Sequence, residues 1–462
     1  MPAQLALFLC VLFIIGVFFA EQRRNAKVSR AIIWPLLWYA ITASRPVGVW
    51  LTIWGIHLPG SVSPTEGSIV DRAFYSILSI IGIVILARRQ YKIGEILKEN
   101  KWLCVLFVYM VISISWSNYP FVSLKRVIKS IGAAILALVV LSEVDPKEAI
   151  ATVIRRCAYF HIPLSIITIK YFRHIGVQWG WYGTSKWWTG IATSKNTLGQ
   201  VAMTSALIFI WERSRHSGDK RNRIIDYVYI AMSIYLLKGS DNAVSMTSVS
   251  VFIISCLVFF VLNWMKQDLR KVKRLMLVSG ISILTLTLVV VLHAIQPFSE
   301  NSLMGHIITS MGRDMTLSGR TYIWKDVLKI ASLSPILGTG YGAFWIGRLA
   351  NIPWNANMTW VLGEAHNGYI DTYLQLGWIG IFILMGVIVS SIPKILQTFP
   401  RDFEYARLRM TFFLAILFVN VTESTFLRGD HNMWFLFLLV ILSVPRLEED
   451  LLLKSLESKG VH

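Results

Sequence analysis

The chain has 462 residues, 55% of them hydrophobic and only 15% charged, with a mean hydropathy of +0.57 and a formal net charge of +19. A water-soluble protein of this length folds as two or three polar-surfaced domains, and so apolar a composition excludes that class. The positive charge lies mostly in short segments between apolar runs, a distribution that fixes membrane topology and does not point to nucleic acid.

Apolar runs recur along the whole chain and are continuous, not alternating, so they predict spanning helices. The first, Leu5 to Ala20, lacks a basic leader and a small-residue cleavage pattern, and reads as a retained span. Further spans are expected at 31–56, 70–87, 102–116, 122–141, 157–170, 196–211, 224–238, 243–264, 275–295, 368–392, 410–427 and 431–445. The run at 31–56 is interrupted by Arg45-Pro46, which predicts a broken or re-entrant helix. Basic clusters follow the first, third, seventh and ninth spans, and strict alternation puts all of them on one side. The positive-inside rule makes that side cytoplasmic and the N-terminus external.

The expectation is therefore an all-α polytopic integral membrane protein with about 12–13 transmembrane helices. About ten lie in residues 1–295, a long periplasmic loop covers 296–366, about three helices occupy 367–446, and 447–462 form a cytoplasmic tail. Cys10, Cys104, Cys157 and Cys256 sit in or beside apolar runs, too scattered for a metal site or disulfide framework, and read as packing residues.

Two longer segments face the outer side. Residues 170–195 are rich in Trp and Gly; Trp179, Trp181, Trp187 and Trp188 suit either sugar stacking or an interfacial aromatic belt. In the long loop, Ser318 to Trp324 leads into a helix-like stretch whose Ile323, Val327, Ile330 and Ala331 form one apolar face, expected to lie along the membrane surface. Gly338-Thr-Gly-Tyr-Gly342 is a turn signal, with no strand before it to make a nucleotide loop.

The outer side carries more charge than a passive surface needs. Lys125, Arg126, Lys195, Lys238, Arg320, His366 and Arg428 lie there or at its interface, and ionisable groups near membrane depth are candidates for function. Such cations imply an anionic partner, and phosphate suits the planar arginine fork. Glu364, His366, Asn367 and Asp371 cluster where the long loop meets a span; Asn367 and Asp371 share a helix face, and a histidine there can act as base or donor. Glu423, near the outer end of an apolar span, calls for a cation such as Arg428 or one on another helix.

Together these residues resemble the bacterial O-antigen ligase and O-antigen/exopolysaccharide polymerase superfamily. His366-Asn367 followed by Gly377 and Gly380 is similar to its histidine motif, and Ser318–Trp324 with Leu337–Gly342 to the signature of its long loop. Lys195-Asn196-Thr-Leu-Gly199 resembles its Lys-Asn-Ser-Leu-Gly element, and Trp116-Ser117 with Leu124-Lys125-Arg126 another element. Where many members carry a Ser-Arg pair before the span at 243–264, this chain has Lys238-Gly-Ser-Asp241-Asn242, so Lys238 or the Lys125–Lys129 cluster would have to substitute.

The resemblance implies a GT-C-like glycosyltransferase in the bacterial inner membrane with a periplasmic active site. It would move a glycan from an undecaprenyl-diphosphate carrier to a lipid A–core or other glycan acceptor, with inversion at the anomeric carbon. Arg320 is expected on the diphosphate and His366 as the acceptor's base. Lys195, Asn196, Asn367, Asp371, Glu364, Lys238, Lys125 and Arg126 are the expected substrate contacts. No cofactor or nucleic acid is expected, and no metal either: no Asp-x-Asp pair occurs in the outer segments, so Arg and Lys would replace one. A polymerase of the same superfamily is the near alternative; a lipid-linked glycan transporter or flippase is the alternative from another class.

Overall fold

A computed structural model describes residues 1–21, 28–57, 68–89, 91–179, 185–215, 220–240, 243–266, 268–295, 306, 319–346 and 363–445. The expectations for Trp181, Ser318, Asp241, Asn242, most of 296–318 and the tail 447–462 fall outside these residues.

The described chain is helical nearly throughout. In order, the helices are α1 (Ala3–Glu21), α2 (Ile33–Ala43), α3 (Val47–Ile53), α4 (Ile69–Arg88), α5 (Ile93–Glu99), α6 (Lys101–Ile112), α7 (Pro120–Leu141), α8 (Pro146–Tyr171) and α9 (Arg173–Gly176). There follow α10 (Lys195–Arg215), α11 (Lys220–Lys238), α12 (Met246–Trp264), α13 (Leu269–Ile295), α14 (Arg320–Ala331), α15 (Gly368–Thr398), α16 (Phe403–Thr422) and α17 (Asn432–Ile441). Among the described residues, seven helices are long and apolar enough to cross a membrane: α1, α4, α8, α12, α13, α15 and α16. The outer ring of α1, α4, α12 and α13 exposes Leu, Ile and Phe side chains to the lipid position, whereas α16 and α17 are almost wholly buried. The chain is an all-α polytopic membrane protein, as expected.

Three local departures from straight spans position the rest. At Ser44-Arg45-Pro46 the second span breaks into α2 and α3, because proline cannot continue the hydrogen-bond ladder. The freed Arg45 guanidinium donates to the carbonyls of Ala192 at 3.0 Å and Ile175 at 2.6 Å. It thereby clamps the base of a short antiparallel hairpin that sequence reading missed: β1 (Val177–Trp179) pairs with β2 (Lys186–Trp188), Gln178 opposite Trp187. Period-two patterns of three residues are too short to register in a sequence.

The span expected at 157–170 begins earlier, at Pro146. Asp145 caps the helix by accepting from the Glu148 amide at 3.1 Å, and proline at N1 sets the helical φ. Its polar first turns stay inside the bundle because Arg155 is surrounded by Glu21, Glu148 and Glu212.

The third departure is in α15. Gly377 has φ +62° and ψ −163°, which opens the helix for one turn. The long loop fills that opening: Thr339 and Gly340 amides donate to the carbonyls of Leu374 and Gln375, while the Trp378 and Ile379 amides donate to Pro335 and Ile336. A Cβ on Gly377 would lie 2.2 Å from the Ile336 oxygen, so the glycine is needed both for its φ and for the close approach. The expected apolar face of α14 forms, and it is covered by protein. Ile323, Trp324, Val327 and Ala331 pack on Phe344, Ala365, Ile370 and Leu374, so the loop is folded down onto the start of α15.

Candidate active site

Two asparagines bring the ends of α15 and α16 together. Asn367 caps α15, its side-chain oxygen accepting from the Tyr369 and Ile370 amides at 3.0 Å, while its amide nitrogen donates to the Val421 carbonyl at 2.9 Å. Asn420 holds the turn after α16 by accepting from the Thr425 and Phe426 amides, each at 3.0 Å. Only a glycine fits between them: a Cβ on Gly368 would stand 2.0 Å from the Asn420 oxygen. The result places Glu423, in extended backbone just past α16, beside His366, just before α15.

Around them five charges alternate in sign. The Arg320 guanidinium donates to Glu423 Oε1 at 2.8 Å. Glu423 Oε2 is 3.6 Å from His366 Nδ1, which lies 3.1 Å from Glu364 Oε1. Glu364 Oε2 in turn accepts from Arg428. Asn196, at the start of α10, adds a second donor to Glu423 Oε1 at 2.9 Å.

Burial opposes the charge on His366, Glu364 and Arg428, and their partners outweigh it. Two flanking carboxylates overcome the cost of burying the imidazolium and push His366 up to about 10. Against the same desolvation, Arg428 and His366 hold Glu364 well below the ordinary carboxylate range, and Glu364 raises Arg428. With His366 protonated, three cations face two carboxylates, and the site carries one net positive charge. Nearby His431 is lowered to about 4 by burial and by Arg428; its neutral ring accepts from the Met433 amide at 3.2 Å and caps α17.

The backbone is strained at the same place. Among the described residues the non-glycine positions with left-handed φ are His366 at +52° and Leu427 at +63°, one on each side of the Glu364–Arg428 pair.

The structure gathers some of the expected residues and disperses others. Arg320, His366, Glu364 and Asn196 form the cluster directly. Lys195 begins α10 with its ammonium 4.7 Å over the Trp187 ring. Asn367 acts through capping, and Asp371 accepts from Trp345 Nε1 at 2.7 Å and from the Ala365 amide, so it supports the irregular segment carrying His366. Arg126 donates to the Gly342 carbonyl and holds the loop down on α7; Lys125 is partly buried one residue before it. Lys238 is exposed at the end of α11, in no ion pair among the described residues. Of the two expected alternatives, Arg428 or a cation on another helix, the partner of Glu423 is the second, Arg320 at the start of α14, while Arg428 pairs with Glu364. Sequence reading had no way to choose between two arginines 108 positions apart in the chain (320 and 428), because the choice is made where three helix ends converge.

Glu364, His366 and Glu423 present donor atoms within 4.8 Å of one another, a spacing that suits a metal ion. The set does not fit one well: each carboxylate already faces a guanidinium and the imidazole, so a divalent ion would have to displace Arg320, Arg428 and the proton on Nδ1.

Fold and site together define a polytopic membrane protein with a cationic catalytic-type cluster where loop and helix ends meet at one end of the bundle. Residues 228–385 match the family described as O-antigen ligase, a stretch that contains Arg320, Glu364, His366, Asn367 and Asp371. The exopolysaccharide production protein ExoQ of Rhizobium meliloti (strain 1021) is 23% identical over 300 residues, 63% of this chain. The match spans 64% of that relative's length. Over the residues they cover, both matches make the chain similar to the O-antigen ligase and polymerase superfamily.

Proposed function

We propose that the protein transfers a glycan from an undecaprenyl-diphosphate carrier to a sugar hydroxyl, at the periplasmic face of the bacterial inner membrane and without a metal. The observation that carries this reading is the alternating cluster of Arg320, Glu423, His366, Glu364 and Arg428, half-open and one charge positive. An enzyme outside the cytoplasm has no nucleotide pool and needs an activated donor; a lipid diphosphate supplies one. As the glycosidic bond to the diphosphate breaks, charge builds on its oxygens, and fixed guanidinium and imidazolium donors stabilise that charge. Arg320 suits this role because its side chain is 20% exposed at the mouth of the site and its fork reaches both oxygens of a phosphate.

The family match favours attachment of a finished chain to lipid A–core. The likeness to an exopolysaccharide production protein favours the second reading, in which the acceptor is another lipid-linked glycan and the product a longer polymer. Both share one donor and one chemistry. Purified protein in proteoliposomes, supplied with lipid-linked oligosaccharide and either acceptor, tests them. Product on lipid A–core supports ligation, a ladder of lengthened lipid-linked chains supports polymerisation, and translocation of the donor without transfer overturns both.

A further inference from the structure

We propose that the β1–β2 hairpin is the wall of the site that holds the donor glycan, with Trp187 stacking on a pyranose ring next to the diphosphate. This deepens the transfer reading above and rests on it. Cross-strand partners share a face of a two-stranded sheet, so the hairpin sorts its side chains into two sets. Val177 and Trp188 face the bundle: both pack on its core, and the Trp188 ring lies 5.4 Å from that of Tyr235. Trp179 and Lys186 share that face further out, the ammonium 5.2 Å over the indole. Gln178 and Trp187 occupy the opposite face, which turns to the start of α10. There the Lys195 ammonium lies 4.7 Å over the Trp187 ring, and the Gln178 amide donates to the Thr193 carbonyl at 3.3 Å.

This second face is continuous with the charge cluster. Asn196, the residue after Lys195, donates to Glu423 Oε1 at 2.9 Å, and Arg320 donates to the same oxygen at 2.8 Å. A diphosphate held by Arg320 therefore has the start of α10 beside it, and the sugar nearest the diphosphate is the donor's own. The wall is also stiff. Arg45 clamps its base, and the Thr189 and Gly190 amides both donate to the Gly176 carbonyl, so little ordering is lost when a ligand arrives. An acyl chain suits this face badly, because it would meet an ammonium, the exposed Gln178 amide and the exposed Thr193. A pyranose fits it, with C–H bonds on one face and hydroxyls around the rim. Its C–H face takes the place of the ammonium over the indole, and Lys195 and Gln178 donate to the rim hydroxyls.

Binding of two synthetic probes to the purified protein tests this: undecaprenyl diphosphate alone, and the same carrier bearing a disaccharide. Trp187→Ala should weaken binding of the glycosylated carrier about tenfold, as loss of one aromatic stacking contact does, and leave the bare carrier as in wild type. Trp187→Phe should keep most of the affinity, whereas Trp187→Leu, which fills space without a π face, should behave like Trp187→Ala. Trp179→Ala, on the other face of the hairpin, should bind both probes as wild type does. Equal weakening for both carriers, rescue by leucine as full as by phenylalanine, or the same loss in Trp179→Ala marks Trp187 as packing or membrane-belt aromatic and overturns the proposal. So does a change confined to the KM of the acceptor. Wild-type protein that shows no preference for the glycosylated carrier yet transfers glycan overturns this inference alone. A preference that Trp187→Ala abolishes, in protein that transfers nothing to any acceptor, defeats the transfer reading and leaves the sugar contact standing.

Discussion

Helix α10 carries an arginine–glutamate cluster at each end, and the two are built on opposite principles. At its C-terminal end Glu212 joins Arg155, which is fully buried and also meets Glu21, Glu148 and the Thr152 hydroxyl. At its N-terminal end, sixteen residues and about 24 Å away at the helical rise, Asn196 meets Glu423 and the five-charge site. The first cluster has a saturated, fully buried arginine and unstrained helical backbone. The second is partly open and has a histidine in left-handed backbone. Buried charge is thus common to both clusters, and partial exposure together with backbone strain sets the candidate site apart.

The sharpest way to break this contrast is at Arg155. Arg155→Ala removes the guanidinium shared by Glu21, Glu148 and Glu212, and removing one member of a buried pair costs about 3–5 kcal/mol. Thermal unfolding in detergent should show that loss, with any protein that still folds retaining its transfer chemistry. Arg320→Ala should do the reverse: an unfolding temperature close to wild type, but transfer reduced about 10²–10³-fold, as for loss of one donor to a developing anion. Equal loss of stability in both variants would make the two clusters alike.

Asn196→Ala should act more mildly, lowering transfer about 10- to 100-fold through loss of one hydrogen bond to a charged group, worth about 1.5–3 kcal/mol. The smallest effect is one of pH. His366 is raised from its ordinary 6.5 to about 10, so its contribution to stability is fully present below pH 6.5 and is lost as pH rises through 10. The difference in unfolding temperature between wild type and His366→Gln should shrink across that window. A gap that instead widens with rising pH would mean that His366 is neutral at pH 7.

Much of the site was legible beforehand. Arg320, His366, Glu364 and Asn196 could be named because charged residues are rare in apolar sequence and stand out at its borders. Glu423 was visible as a carboxylate needing a cation, but the cation was not. The apolar face of α14 was legible from its period, while its partner was not: periodicity says that Ile323 and Val327 are covered, and the same pattern serves lipid and protein alike.

By itself the sequence determined that the chain spans a membrane as helices, and that cations gather at one set of helix ends. Length of apolar runs and backbone satisfaction in lipid leave no other solution. Tertiary structure alone decided which arginine faces which glutamate, that the glycine loop fills the opened turn at Gly377, and that Arg45 and Arg126 serve as clamps. Those outcomes depend on distances between residues far apart in the chain. Electrostatic and hydrogen-bond energies are set by those distances, and one-dimensional spacing does not contain them.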